Sequence, residues 1–439
     1  MSPDSNTSSS PSGTAPGAAP VTDVIEVIVD GFAHGGEGVG RIDGKVVLVA
    51  GALPGERVRV SITENHPRWS RARLVEVLLP SIDRVTPPCP IAQDCGGCDL
   101  QHVAPAAARV LKTRVVREQL ARLGGFGDAA HGLVEDCRPA GPDLGYRNHV
   151  QLHAGPDGRL GFHRAGSHEV VPTAHCLVAE DGVNALMERF GPDSGADELA
   201  LRVLGDARTA IVTPGDGPVA LPDDVPTLAL RQADGRPVVV RGEGSATVQV
   251  AGVTLYVPID AFFQVNTSGA EALVALVRES AGDVAHRDVW DLYAGVGLLA
   301  LPLATDGAHV LAVESAMSAT MALGRAATDQ ELDVRVLTEK VEHVTRRAAT
   351  GDRSIDPPEV IIADPPRAGL GRHVIADLGR IAPSRLVLVS CDVASFARDA
   401  RDLGAAGLRL ERAVPLDLFP MTHHVEIVAT FVRDATIGT

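Results

Sequence analysis

Three of the chain's six cysteines stand within ten residues, in the pattern Cys89-x5-Cys95-Gly-Gly-Cys98. Six cysteines in 439 residues are too few and too unevenly spaced for a disulfide scaffold. Thiols so concentrated point instead to a bound metal or cluster, with a fourth ligand from elsewhere in the chain. Four thiolates suit either Zn²⁺ or a 4Fe–4S cluster. A second chemistry lies nearer the C-terminus. Asp291-Leu-Tyr-Ala-Gly295-Val-Gly297 follows an apolar run, and its glycines let backbone pass close to a ligand at a helix start. Glu314 ends the next run, 23 positions after Asp291, where a carboxylate can hold ribose hydroxyls. Val360-Ile-Ile-Ala-Asp364 ends a third run, before Pro365-Pro366-Arg367. A third glycine at dinucleotide spacing is missing, which favours S-adenosylmethionine over a nicotinamide dinucleotide. Cys391 ends a fourth run. A thiol there is either an inert core cysteine or a nucleophile.

These residues need a frame. From about Phe262 apolar runs alternate with helical stretches, the signature of a doubly wound α/β domain. Ala270–Ala281 reads as a helix. Asp288–Tyr293, His309–Glu314, Val360–Asp364 and Leu386–Cys391 read as buried parallel strands, and Glu426–Val432 as a last strand. The preceding segment, 130 to about 255, is rich in Gly and Pro. Its short strand candidates are His149–His153, Thr209–Val212, Val238–Val240 and Thr247–Val250, and the pattern leaves their layout open. Pro105–Leu123 reads as a helix, with Val110, Leu111, Val115, Leu120 and Leu123 near helical spacing and Arg109, Lys112, Arg117 and Arg122 on the other face. Upstream, Val24–Val29, Lys45–Val49, Arg57–Ile62 and Arg71–Leu78 are strand-like, with Gly31–Gly40 a glycine-rich turn region. Such spacing suggests a small closed β-barrel of roughly 60 residues. Residues 1 to about 20 hold almost no large apolar side chain and are expected to be disordered. The expected domains are therefore a tail (1–20), a barrel (21–80), a β-rich central domain (81–255) and the α/β domain (256–439). The helix 105–123 is a candidate to pack on the last.

Four blocks in order resemble the RNA uracil-C5 methyltransferases: Ala261-Phe-Phe-Gln264-Val-Asn266, Asp364-Pro-Pro-Arg367, Ser390-Cys391, and Asp417-Leu-Phe-Pro420-Met-Thr422-His-His424-Val-Glu426. The similarity covers nearly the whole chain, and the barrel looks like a TRAM domain, a small RNA-binding module. The resemblance implies that Cys391 adds to uracil C6 and so activates C5, because that carbon takes a methyl group poorly unaided. It implies Glu426 as the general base that removes the C5 proton. It places Gln264, Tyr293, Gly295, Glu314 and Asp364 around S-adenosylmethionine. It also implies a 4Fe–4S cluster on Cys89, Cys95, Cys98 and Cys176, leaving Cys137 over, with a structural role because the reaction transfers no electrons. Cytosine-C5 enzymes usually carry a cysteine after the proline of the Asp-x-Pro motif; Asp364-Pro-Pro-Arg has none, so uracil is favoured. Amino-group methyltransferases carry an aromatic where Arg367 stands. Two departures matter: Ala294 and Leu298 replace Cys and a polar residue, and Asp392-Val393 replaces Asn-Pro. A non-catalytic RNA-binding factor on this scaffold is the reading from another class.

Charge bears on the partner. Lys+Arg 40 against Asp+Glu 56 gives −16, which argues against a nucleic-acid ligand. Divided by region, residues 21–125 hold 13 basic and 12 acidic residues, so the rest of the chain carries the deficit. Arg57, Arg59, Arg68, Arg71 and Arg73 surround Trp69 and form a plausible RNA platform. Only three of the 40 cations are lysines, a bias attributable to base composition. No apolar run is long enough to span a membrane, and no secretory signal opens the chain. The expectation is a cytoplasmic monomer without an obligate protein partner, acting on RNA, with ribosomal RNA favoured over tRNA.

Overall fold

The computed structural model describes residues 24–191 and 194–433. The tail read as disordered lies outside them. The chain divides into two compact units, one essentially Glu37–Ile82 with the preceding strand, the other Asp83 onward.

The first unit is a closed five-stranded barrel of Ile25–Phe32, Glu37–Ile42, Lys45–Ala50, Arg57–Asn65 and Trp69–Leu79. Alternation fills it: Val27, Val29, Val47, Val49, Val58 and Val60 point inward, and their neighbours face out. The stretch read as a glycine-rich turn contains a strand, Glu37–Ile42. Its glycines answer to crowding rather than to turning. A Cβ on Gly38 would stand 2.6 Å from the Ala52 carbonyl oxygen, and one on Gly40 would stand 2.6 Å from that of Ile28. The arginine cluster is partly neutralised within the barrel. Arg59 pairs with Glu76 at 2.8 Å, and Arg71 with Glu37 at 2.7 Å. Arg71 also lies over the Trp69 ring, 5.6 Å from its centroid.

The second unit holds two large sheets. One has seven strands, in the order Pro237–Arg241, Thr227–Arg231, Ala207–Pro214, Ala196–Leu204, His149–Ala154, Leu160–His163, Val170–Pro172. Its core includes Leu152, Leu199, Leu201 and Val212, covered by Val183, Leu186 and Met187 of the helix Asp181–Phe190. The other has eight strands, in the order Val334–Thr338, His309–Glu314, Asp288–Leu292, Val360–Ala363, Arg385–Ser390, Glu426–Arg433, Leu408–Asp417, Arg138–Pro139. The first five run parallel, and Glu426–Arg433 is antiparallel to both neighbours. Near-continuous apolar runs such as Val360-Ile-Ile-Ala363 are what a strand covered on both faces requires. Helices pack on the faces. In Val393–Ala405, Val393, Phe396, Ala397, Ala400 and Leu403 recur at helical spacing and are fully buried. Burial of each large one contributes about 1.5–3 kcal/mol.

The helix Pro105–Arg122 packs against Val393–Ala405, but its buried side differs from the expected one. Val110 and Leu123 are exposed, while Lys112 and Thr113 are buried. The reason is an internal partner for Lys112, described below. No helix among the described residues is long and apolar enough to cross a membrane.

Candidate active site and cysteine loop

Parallel strands that share a sheet end along one edge. Tyr293, Glu314, Asp364 and Cys391 follow, or end, four of them and therefore emerge on that edge. Glu426 joins them for a topological reason. It opens an antiparallel strand, with Ile427 opposite Ser390, so its first residue falls where the parallel strands finish.

The edge is acidic and poorly solvated. Glu426 is 3% exposed. Burial and then the Asp364 carboxylate hold its pKa well above the ordinary carboxyl range. Burial pushes Asp364 up to about 6. Cys391 is half-buried, and burial pushes its thiol up to about 11; Glu426 and Asp364 add to that, and Arg367 opposes it. Asp291 is fully buried, and neither of its carboxylate oxygens has a hydrogen-bond partner. Burial, then Asp364 and Glu314, raise its pKa well above the usual value, and the nearby Ala300 backbone N–H only softens this. An unpaired buried carboxylate is costly, so this edge favours a ligand that brings positive charge and hydrogen-bond donors.

The glycine loop is shaped by its backbone. Tyr293, Gly295 and Gly297 have φ of 66°, 54° and 93°. A Cβ on Gly297 would overlap Leu323 and stand 3.1 Å from Leu301 Cγ, whereas Gly295 faces open space. Glu314 ties this loop to the next helix. Its Oε2 accepts from the Gly295 N–H at 3.1 Å, and its Oε1 from the Ser315 and Ala316 N–H groups at 2.6 and 2.7 Å. Burial, Glu342 and Asp399 raise the Tyr293 phenol. Gln264 is buried in the segment before the helix Thr267–Ala281, and its carbonyl accepts from Asn148 Nδ2 at 3.0 Å. Asn266 caps that helix, accepting from the Gly269 N–H at 2.8 Å. Asp392 does the same for Val393–Ala405, accepting from the Ser395 N–H at 2.7 Å, so Asp392-Val393 keeps the capping function. Leu298 packs against the core.

The turn between Asp417 and Glu426 is held from outside. Leu418 O accepts from Asn266 Nδ2 at 2.9 Å, Phe419 O from Lys112 Nζ at 3.1 Å, Pro420 O from the Tyr146 hydroxyl at 2.9 Å, and Met421 O from the Leu100 N–H at 3.0 Å. Lys112 Nζ also donates to Asp417 Oδ1 at 2.5 Å, with both side chains buried. Asp99 accepts from the His423 N–H at 2.8 Å and meets its ring Nδ1. Burial, and the adjoining His423, hold His424 down to about 4.

Asp99 and Leu100 belong to the cysteine loop. Cys89, Cys95, Cys98 and Cys176 come together: the ionisation of Cys95 is affected by Cys176 and Cys89, and that of Cys98 by Cys176 and Cys95. Burial raises all three of Cys95, Cys98 and Cys176, and pushes Cys98 up to about 12. The Gly97 N–H donates to Cys95 Sγ at 3.4 Å, and the Val178 and Ala179 N–H groups favour the Cys176 thiolate. Among the described residues, no group of three or more His, Cys, Asp or Glu side chains stands in a geometry that could hold a metal ion. Cys137 is buried elsewhere, its N–H donating to Thr113 Oγ1 at 2.8 Å. All six cysteines are free.

Lys112, Tyr146 and Asp99 were not legible as site residues. A faint signal existed: the chain has three lysines and three tyrosines, so each one kept is unusual.

Residues 20–75 match the TRAM domain family, and residues 244–433 match the tRNA (uracil-5-)-methyltransferase family. An uncharacterized RNA methyltransferase of Streptomyces coelicolor is 38% identical over 93% of each chain. One of Streptomyces avermitilis is 37% identical over 92% of this chain and 97% of its own. The crystal structure of Pyrococcus abyssi tRNA (uracil-54, C5)-methyltransferase with S-adenosyl-L-homocysteine shares the fold at a TM-score of 0.74 and 22% identity, covering 93% of this chain and 99% of that one. The chain belongs to the S-adenosylmethionine-dependent RNA methyltransferases that join a TRAM domain to a tRNA (uracil-5-)-methyltransferase domain.

Proposed function

We propose that the protein methylates C5 of a uridine in ribosomal RNA. The observation that carries this reading is the convergence of Cys391, Glu426 and Asp364 on the edge that holds the glycine loop. The Cys391 thiol gives up its proton to solvent, and the thiolate adds to C6 of the base, which makes C5 nucleophilic. Gln264, Tyr293, Gly295, Glu314 and Asp364 would hold S-adenosylmethionine, which gives its methyl group to C5 and leaves as S-adenosylhomocysteine. Glu426 then takes the C5 proton. The electron pair of that bond restores C5=C6 and expels the Cys391 thiolate. Burial and the Asp364 carboxylate raise the Glu426 pKa, which makes its carboxylate a stronger base. A base stacked in folded RNA has to be flipped out to reach this edge.

Cys89, Cys95, Cys98 and Cys176 hold a 4Fe–4S cluster in this reading. An absorbance band near ~400 nm with acid-labile sulfide in anaerobically prepared protein supports it; stoichiometric zinc sinks it. The protein works in the cytoplasm as a monomer. Ribosomal RNA is favoured by the pairing of the barrel with the cysteine loop.

The decisive experiment is nucleoside mass spectrometry of ribosomal RNA and tRNA from a deletion strain and its complemented parent. Loss of 5-methyluridine from ribosomal RNA alone supports the proposal. Loss from tRNA redirects it, and no loss from either favours a non-catalytic RNA-binding role. Complementation by Cys391→Ala would refute the thiolate mechanism.

A further inference from the structure

The turn 418–421 has an unusual property: four successive carbonyls are each bonded by a different part of the chain. The donors come from the helix cap Asn266, the helix Pro105–Arg122, the segment bearing Tyr146, and the cysteine loop. A hairpin tip needs none of these to close. Its strands are already paired from Leu408 to Arg433, with Leu416 opposite Glu426. Met421 nonetheless holds φ of 65°, a conformation that a side-chain-bearing residue rarely adopts and that its surroundings must impose. The next residues carry the same grip, since Asp99 holds the His423 N–H and ring, and Val425 is buried just before Glu426.

We propose that Tyr146 and Asp99 are positioning residues for the Glu426 base, fixing the turn from which its strand departs. This rests on the reading of Glu426 as the base. Proton removal requires the carboxylate oxygen within reach, ~2.6–3.2 Å between heavy atoms, of the group that gives up the proton, so a small shift of this turn is felt at that step first. Cys391 stands on a different strand, Arg385–Ser390 and its end, and its addition does not pass through the turn. The cysteine loop thereby acquires a role in catalysis without touching substrate: Asp99 and Leu100, next to Cys98, convey its folded state to the base.

Single-turnover reactions on ordinary uridine RNA separate the steps. Tyr146→Phe removes one hydroxyl and keeps the ring; Asp99→Asn keeps an acceptor for the His423 N–H and removes the charge. In both variants, methyl transfer should keep the wild-type rate, while release of methylated RNA slows by about 10–100-fold. A denaturant-stable protein–RNA adduct, with the Cys391–C6 bond intact, should accumulate. Adding Glu426→Gln to Tyr146→Phe should slow release no further than Glu426→Gln alone. Equal slowing of methyl transfer and release, or release at the wild-type rate, overturns the inference. A parallel assay on 5-fluorouridine RNA isolates the underlying reading, because fluorine cannot leave as a proton. If wild-type protein fails to form that trapped adduct, the covalent mechanism itself is wrong. If wild-type and variants trap equally and release equally, only the positioning role is.

Discussion

The two halves of the active edge are built by opposite means. The glycine loop is local: Tyr293 to Gly297 follows one strand, and Glu314, 19 positions after Gly295, ties it to the next helix. The 418–425 turn is remote, held by Asn266, Lys112 and Tyr146 across 152, 307 and 274 positions. Local backbone shape serves a methyl donor common to many enzymes. Remote anchoring serves an acid whose placement depends on the whole second unit. Damage should therefore spread differently from the two halves. A lesion in the glycine loop should weaken donor binding and leave the Glu426 step alone, and a lesion in the anchors should reach that step.

The largest test of this difference is Lys112→Ala. It leaves the buried Asp417 carboxylate with Arg109 alone, whose Nη1 lies 3.5 Å from Oδ2, and urea unfolding should show a loss of about 3 kcal/mol. A loss below 1 kcal/mol would mean that the pair is solvated and the remote half is not anchored as described. Next is Gly297→Ala, which meets Leu323 at positive φ. It should cost about 1–3 kcal/mol in the same assay and weaken S-adenosylmethionine binding. Adduct release should be unaffected once donor is saturating. Glu314→Gln removes an acceptor from the Gly295, Ser315 and Ala316 N–H groups, so unfolding should show a loss of about 1–2 kcal/mol, and donor affinity should weaken by about 10-fold or more in calorimetry, the scale of one hydrogen bond to a charged group. Equal affinity would remove Glu314 from the donor site.

The smallest effect is electrostatic. Burial first, and then the Glu426 and Asp364 carboxylates, disfavour the Cys391 thiolate and raise its pKa. Peptide-resolved alkylation of Cys391 should therefore rise with pH toward a midpoint near about 11 in the empty protein. Glu426→Gln removes a negative neighbour and should move that midpoint down. A midpoint unchanged by the substitution would show that Glu426 does not face the thiol.

Much of this arrangement was readable in advance. Period and composition disclosed the parallel strands, because a run such as Val360-Ile-Ile-Ala363 suits a strand covered on both faces. The strand Leu408–Asp417 has no clean apolar pattern, since Glu411 and Arg412 interrupt it at a bulge and Pro415, although buried, reads as a strand breaker. The strand Glu37–Ile42 was hidden by glycines that crowding requires. The helix Pro105–Arg122 was recognised, but its face was misjudged: a lysine reads as solvent-facing until its buried partner is known.

The sequence by itself determined the buried parallel strands of the α/β domain, the glycine loop with Glu314, and the residue types fit for thiolate and carboxylate chemistry. Those features depend on neighbours a few positions apart, where spacing and propensity act directly. Only the tertiary structure decided that an antiparallel strand would bring Glu426 to the edge of Cys391, and that the cysteine loop would grip its turn. Both depend on hydrogen bonds and ion pairs between distant segments, whose partners no local pattern names.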